Sequence, residues 1–421
     1  MKKIFKLVAF ILAAVMSLGI FAGCHEKNEI AITIGNHKYT SAMYSCALYS
    51  AASQARSKIY SYVSQSGGDV KNIKYENYKF DAEGNVSATG VVPYETLVKN
   101  EAINNLKRFS IVQDKMATEG LTLPQDYKDS AIYNARAYWN IGCDYQTYAI
   151  YGDSAASQNT PYAYLLEPNG ILYNTFEQYS IYNANINYYF EHTYGKGGSK
   201  EVPENTLKEY LTTHFDIADT MEFSMLDSAN TALSEDKLAA LKTKVEGYAD
   251  RINKGEDFKV IYEEYEAELK KEQESTSSST SSSASSSTTS SATDSTTSST
   301  DSSTSSDTTS SGDKEFVPEV YTQLYGDEES GYNDTHFKEI HESAVGKAFV
   351  IDDTESKCYI LLVRRDILEE DYYFDNFEIS ILYTLKQDEF DAEIKTIADT
   401  LTPIEDKHAT RPFKVKNIKF S

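Results

Sequence analysis

The feature that most constrains this chain is a low-complexity tract in its C-terminal half. From Ser275 to Ser311 nearly every residue is serine or threonine, with a few aspartates. Such a tract has almost no apolar surface to offset the entropy lost on ordering, so we expect it to be disordered and solvated. A strand and two helices are predicted before it, and a helix and two strands after it. Because neither flank alone has enough strands for a sheet, we predict an insertion inside one domain.

The two flanks show the residue spacing of regular elements. Leu238, Leu241 and Val245 recur at intervals of three and four residues, which predicts an amphipathic helix. In chain order, we predict a strand at Met221–Leu226, a helix at Glu235–Asn253, a helix opened by Gly255–Phe258, a helix at Phe337–Val345, and strands at Ala348–Ile351 and Tyr359–Val363. We expect these elements to form one domain over residues 220–366.

The N-terminus has the features of an export signal. Lysines in the first six residues precede an apolar run over residues 7–21, which is shorter than the ~20 residues of a membrane-spanning helix. Small residues directly before Cys24 resemble a lipobox, whose cysteine becomes the lipidated first residue. We therefore predict a signal peptide over 1–23, lipid on Cys24, a tether over 24–29, and an extracytoplasmic location on the outer face of the cell membrane. The alternative is an ordinary secretory signal.

The net charge excludes several classes of partner, and the cysteines exclude a disulfide framework and a cysteine metal site. The formal net charge is -24, so nucleic acid and anionic lipid headgroups would be repelled. After Cys24 only Cys46, Cys143 and Cys358 remain, an odd and sparse set without the spacing of a disulfide framework or metal site. We expect them to be small buried hydrophobes. The 33 tyrosines combine apolar area with a polar tip, which suits peptide or carbohydrate binding, although most are expected to pack internally.

Motifs with a defined chemistry are missing from the sequence. It has no paired-histidine motif for zinc, no Gly-x-Ser-x-Gly elbow, no glycine-rich phosphate loop and no aspartate-rich calcium loop. We therefore predict no metal and no cofactor. His336 and His341 are five residues apart, a spacing that does not align both rings on one helix face. We interpret them as two histidines on the solvent side.

Residues 30–219 predict a mainly helical domain. Ile30–Ile34 alternates as a strand, Gly35–Asn36 is a turn signal, and Thr40 or Ser41 can cap a helix. The predicted helices run from about residue 41 to 65, from 94 to a stop at Gly120, from 125 to 151, from 174 to 194, and from 203 to 215, with a loop over 66–93. Residues 367–421 add one helix that stops before Pro403 and a tail, 413–420, that predicts an edge strand.

The order of these segments resembles the extracytoplasmic foldases of the PrsA and SurA type. That resemblance implies an α+β protein: a helical chaperone lobe built from the N- and C-terminal segments, and a parvulin-type prolyl isomerase domain made of an antiparallel sheet wrapped by helices. The segments that carry it are Ile32–Thr40, Val202–His214, Gly255–Phe258, Phe337 followed by Gly346, and Tyr359–Val363.

The resemblance also implies an isomerase centre, and here its residues are replaced. The first family histidine corresponds to Ser224, or to Phe223 if the alignment slips by one residue. The second histidine corresponds to Tyr359, and the acidic or thiol residue corresponds to Glu268. Tyr359 offers a partial replacement, because a tyrosine hydroxyl both donates and accepts hydrogen bonds.

Part of the implied substrate pocket is retained. Phe337 matches the aromatic residue that floors the proline pocket, and Thr354 and Ser356 match a polar pair before the last strand. The apolar residue expected four positions before Phe337 is Asn333. We therefore expect these three matching residues to contact substrate within a degenerate catalytic centre.

Three functions are compatible with this sequence. The first is a membrane-anchored chaperone that binds unfolded or newly exported polypeptides and has little or no isomerase activity. The second is the same architecture with a working prolyl isomerase, which would have to favour the twisted amide over the planar one. The third is a surface ligand-binding lipoprotein whose Ser/Thr tract is a spacer between two independent units. We expect the first.

Overall fold

The computed structural model describes residues 28–145, 147, 159–227, 229–277 and 318–420. The predicted signal peptide, Cys24, most of the tether and most of the Ser/Thr tract lie outside the described residues. The structure is mixed α+β and 58% helical, with small antiparallel sheets, which confirms the predicted α+β class and the predominance of helices.

The longer helices agree with the periodicity of the sequence. They are α1 Ser41–Gln65, α2 Tyr94–Glu119, α3 Gln125–Ile141, α4 Tyr162–Leu166, α5 Tyr173–Tyr194, α6 Glu204–His214, α7 Glu235–Asn253, α8 Phe258–Ser277, α9 Phe337–Glu342, α10 Asp371–Thr400 and α11 Lys407–Thr410. The helix predicted to reach residue 151 instead ends at Ile141, because Gly142 adopts the left-handed conformation with φ 87°.

Within the described residues, the strands form three small sheets. They are β1 Ile30–Ile34, β2 His37–Thr40, β3 Lys79–Phe80, β4 Val92–Pro93, β5 Phe215–Ser224, β6 Thr322–Gly326, β7 Ala348–Asp353, β8 Cys358–Arg365 and β9 Ile404–Glu405. The sheet orders are β2-β1-β9, β3-β4 and β6-β5-β8-β7. Every pairing among these strands is antiparallel.

The chain divides into two compact units. Of the described residues, the first unit contains those within 28–193, Gly197–Ser199 and 387–420, and the second contains Tyr194–Lys196 and those within Lys200–Lys386. These boundaries differ from those predicted at residues 219 and 366. The reason is local: α6 runs directly into β5 without a linker, and α10 continues without interruption past residue 386.

In the first unit, the predicted start of the chain is formed as expected. Gly35 takes φ 57° in the turn between β1 and β2, and the Thr40 side chain caps α1 by accepting from the Met43 N–H. The C-terminal segment joins the same unit, since β9 pairs with β1. The tail was wrongly predicted as an edge strand: Val415–Asn417 forms a 3-10 turn, in which the Asn417 N–H donates to the Lys414 carbonyl.

The second unit is built around the four-stranded sheet. β5, from before the Ser/Thr tract, pairs with β6 and β8, from after it. β5 begins at Phe215, six residues before the predicted Met221. The sequence hid this start because Asp216 and Asp219 break the apolar pattern, yet both are buried in the sheet.

Side chains on alternate residues of these strands fill two separate cores, as the pleat of a sheet requires. One face packs under α7 and α8, and its strand residues are Met221, Phe223, Ala348, Tyr359, Leu361 and Val363. The opposite face packs against α9, and its buried residues are Ala218, Ile340, Cys358, Ile360 and Leu362. We call these the α7-α8 face and the α9 face.

Candidate functional site

The α9 face is covered far less than the α7-α8 face. In the described part of the chain, its core contains one short helix, α9, which contributes Ile340. Tyr325, Phe349 and Ile351 pack at its margin and remain partly exposed. Phe337, the first residue of α9, is also partly exposed. The result is a sheet surface with accessible aromatic and aliphatic side chains, which suits contact with an apolar peptide segment.

A buried ionic cluster holds α9 on the sheet. Asp216 on β5 accepts from Arg364 Nε at 2.6 Å and bonds His341 Nδ1 at 2.7 Å. Arg364 also donates to the backbone carbonyls of His341 and Ser343, at 2.5 and 3.1 Å. These bonds satisfy the C-terminal carbonyls of α9 and the buried carboxylate together. His341, interpreted as a solvent-side residue, keeps 36% of its side chain exposed but also bonds the buried Asp216 through Nδ1.

A second histidine closes the other end of α9. His336 Nε2 bonds Asp353 Oδ2 at 3.1 Å, and both side chains are largely buried. The interpretation of His336 as a solvent-side residue was therefore wrong. Asp353 also accepts from the Ser356 N–H at 2.9 Å. Hydrogen bonds from the Ser356 backbone and side chain, and then from His336, lower the pKa of Asp353 to about 2.

The predicted substrate-binding residues lie around this second histidine. Phe337 follows His336 directly, and its ring stacks on His341 with centroids 5.2 Å apart. Ser356 is linked to His336 through Asp353. Thr354 is exposed in the same turn. The structure therefore brings Phe337 and Ser356 to one end of the α9 face.

The predicted catalytic positions lie elsewhere and are divided between the two faces. Tyr359 pairs across the strands with Phe223, and Cys358 pairs with Ser224. Phe223 is 0% exposed and Tyr359 is 6% exposed, both on the α7-α8 face. Ser224 is exposed, and its hydroxyl bonds the backbone of Leu226. Of the two residues considered for the first histidine, Phe223 is the one that shares a face with Tyr359.

The surroundings of the Phe223 and Tyr359 pair are aromatic. The Phe223 ring lies 4.4 Å from that of Tyr265 and 5.9 Å from that of Tyr248, centroid to centroid. Glu268 on α8 is ion-paired with Lys244 of α7. Phenylalanine has no hydrogen-bonding group, so Phe223 and Tyr359 cannot form the linked polar pair that two histidines would.

The cysteines behave as the sequence predicts. Cys46, Cys143 and Cys358 are all buried and unbonded to one another. Burial, with smaller contributions from Glu222 and Asp353, raises the pKa of the Cys358 thiol to about 11. A thiol with such a pKa is a poor nucleophile at neutral pH, so Cys358 packs as a small hydrophobe although it lies between Ser224 and Asp353 in the sheet.

Across the ranges that the structure describes, no group of three or more histidine, cysteine or acidic side chains is arranged to hold a metal ion. Within the same ranges, no helix is long and apolar enough to cross a membrane.

Comparisons with protein families, with curated proteins and with solved structures find no match to this chain.

Proposed function

We propose that this protein is an extracytoplasmic chaperone, anchored to a membrane by lipid on Cys24, that binds unfolded or newly exported polypeptides. Its second unit is, in this proposal, a parvulin-like domain of the PrsA and SurA type whose isomerase centre has degenerated. The first unit corresponds to the helical lobe.

The observation that carries the proposal is the sheet of the second unit. Four antiparallel strands come from both sides of the Ser/Thr tract, with helices on both faces. Such a sheet is the arrangement that a parvulin-like domain with an insertion requires. The same pairing disfavours the spacer alternative, because a spacer would separate two independent units rather than interrupt one sheet.

The aromatic pair disfavours an active isomerase. Rotation about a prolyl peptide bond faces a barrier of about 18–20 kcal/mol, and catalysis requires groups that bind the twisted amide more tightly than the planar one. At the two positions implied for histidines, Phe223 and Tyr359 are buried under α7 and α8. Glu268 is occupied by Lys244. We therefore propose that the domain binds peptides but lacks the polar centre of an isomerase.

The α9 face supplies the client-binding surface in this proposal. Phe337, Tyr325, Phe349 and Ile351 expose part of their apolar area around a firmly anchored helix. Fixed aromatic side chains give contact area at low conformational cost. Binding without nucleotide to such a shallow surface would be weak and rapidly reversible, which suits clients that fold after release.

An aggregation assay tests the proposal. The mature chain with Cys24→Ser, which cannot carry the lipid, is added at stoichiometric ratio to a chemically denatured client diluted into buffer. We expect suppressed light scattering, reduced by Phe337→Ala and unchanged by Val345→Ala, a control whose side chain is 55% exposed just after α9. Circular dichroism confirms that both variants are folded. Light scattering unaffected by the parent protein would reject the chaperone function.

A refolding assay separates the chaperone from the isomerase. Uncatalysed prolyl isomerisation takes ~10–100 s, so catalysis is visible in the slow refolding phase of a proline-limited substrate. We expect the same rate with and without this protein. A rate that rises in proportion to its concentration would establish the isomerase instead.

A further inference from the structure

The tail of the chain is held on the first unit by a side chain that binds its backbone. The Lys419 N–H donates to Asn169 Oδ1 at 2.9 Å, and the Lys419 carbonyl accepts from Asn169 Nδ2 at 2.8 Å. One side-chain amide therefore satisfies both backbone groups of one residue, as a residue of a neighbouring strand would. These two bonds do not involve the Lys419 side chain.

The next residue inserts its ring into an aromatic and cationic stack. The Phe420 ring stacks on Tyr49 with centroids 5.1 Å apart and planes 28° apart. On Phe420 also lies the Arg56 guanidinium, 4.1 Å from its centroid, and the same guanidinium lies 3.8 Å from the Tyr75 centroid. Stacked aromatic and cation–π contacts of this kind recognise a ring and are indifferent to the sequence that carries it.

The groups that hold Lys419 and Phe420 are fixed by the fold. Tyr49 and Arg56 both lie on α1, which also presents Ser45, whose hydroxyl donates to the Asn169 carbonyl at 3.0 Å. Asn169 Nδ2 additionally donates to the Leu165 carbonyl at 2.7 Å. Because a helix and two hydrogen bonds set their positions, little ordering is required when a peptide binds.

An open groove lies beside Phe420. A cavity of about 410 Å³ lies along α1, and its lining includes Ser53, Ser57, Tyr60 and Ser61 together with Arg56 and Phe420. Tyr60 is 49% exposed. A bound polypeptide therefore has room beside the aromatic ring, next to small hydroxyl side chains.

We propose that Tyr49, Arg56, Tyr75 and Asn169 form a binding site for extended polypeptides that present an aromatic side chain, and that Lys419–Phe420 occupies this site until a client displaces it. We call this site the Phe420 seat. It binds one aromatic ring of a polypeptide and the backbone of the residue before that ring. This inference rests on the proposed chaperone function and adds a second client surface to it.

Because Lys419–Phe420 already occupies the seat, only a client that binds more tightly than this tail displaces it. A tethered segment competes at an effective concentration that reaches the millimolar range for short flexible links. A single aromatic residue in a client therefore competes poorly. Clients with several aromatic residues, or with parts bound at another surface, displace the tail.

Peptide binding to variants of the seat tests this inference. The probe is a fluorescein-labelled peptide with the sequence of residues 415–421, titrated with the mature Cys24→Ser chain and followed by anisotropy. Phe420→Ala removes the tail's own ring from the seat, and we expect the peptide to bind about tenfold more tightly than to the parent. Adding Arg56→Ala or Asn169→Asp to Phe420→Ala should reverse that gain, whereas adding Tyr133→Ala, which removes an exposed aromatic outside the seat, should not.

The results distinguish the seat from the chaperone function. Equal affinity of the parent and Phe420→Ala, or a gain that survives both Arg56→Ala and Asn169→Asp, overturns the seat. A probe whose aromatic residue is replaced by alanine must lose the gain, and its retention also overturns the seat. If the seat fails while aggregation is still suppressed, the chaperone function stands alone; if the peptide binds as expected while suppression is missing, the chaperone function fails and the seat remains a peptide site.

Discussion

Replacing Asp216 by alanine tests how α9 is held on the sheet. The Asp216 side chain is 2% exposed and contacts both Arg364 and His341. Removing one partner of a buried ion pair costs about 3–5 kcal/mol, because the other charge stays buried without compensation. Arg364 is 18% exposed and keeps two carbonyl acceptors, so we expect the lower end of that range, about 3 kcal/mol.

Hydrogen exchange measured by mass spectrometry on the intact chain gives this loss of stability at the level of single segments. Amides of β8 and α9 should exchange about a hundredfold faster in Asp216→Ala, since 1.36 kcal/mol corresponds to about a factor of ten. The double variant Asp216→Ala with Arg364→Met should recover part of the protection, because both charges are then absent. Glu342→Ala on the same helix is the control, since its contact with Lys338 is long and exposed. Unchanged exchange in β8 of Asp216→Ala would refute the role given to this cluster.

Acidification, backbone conformation and thiol burial each provide a further test. The pKa of Asp353 is lowered to about 2, below that of an unfolded aspartate, so its contribution is complete above about pH 4 and is lost toward pH 2; the difference in urea midpoint between the parent and Asp353→Asn should shrink over that window. Gly120 takes φ 74° with no atom near an added Cβ, so Gly120→Ala should cost about 1 kcal/mol, read from the fluorescence of Trp139, the only tryptophan. Because Cys358 is buried with its pKa raised to about 11, a disulfide reagent at pH 8 should label it only after unfolding, as mass spectrometry would show.

Local signals in the sequence predicted much of the fold. The helix from Ser41 to Gln65 and the stop at Gly120 follow from apolar spacing, a capping hydroxyl and a left-handed glycine. The start of β5 could not be predicted in this way. From the sequence, Asp216 and Asp219 look like surface residues. Their burial is compensated by hydrogen bonds from residues distant in sequence: Arg364 donates to Asp216, and Thr322 donates to Asp219.

The candidate site was harder to predict than the fold because it depends on register. Ser224 and Phe223 are adjacent in sequence, yet they lie on opposite faces of β5, so a shift of one residue changes which of them faces Tyr359. The anchoring roles of His336 and His341 depend on carboxylates far away in sequence, at Asp353 and Asp216. The sequence offered one hint of these roles: a five-residue spacing directs the two rings to different sides of the helix, and in the structure they bind different strands.

Site-specific photo-crosslinking tests the central claim, client binding on the α9 face, most directly. A benzophenone amino acid placed at Phe337 is irradiated in the presence of a denatured client, with the same substitution at Val260, which is 49% exposed on α8, as the matched control. We predict crosslinks to the client from position 337 and few or none from position 260. Equal crosslinking from both positions, or crosslinking from position 260 alone, would contradict the account.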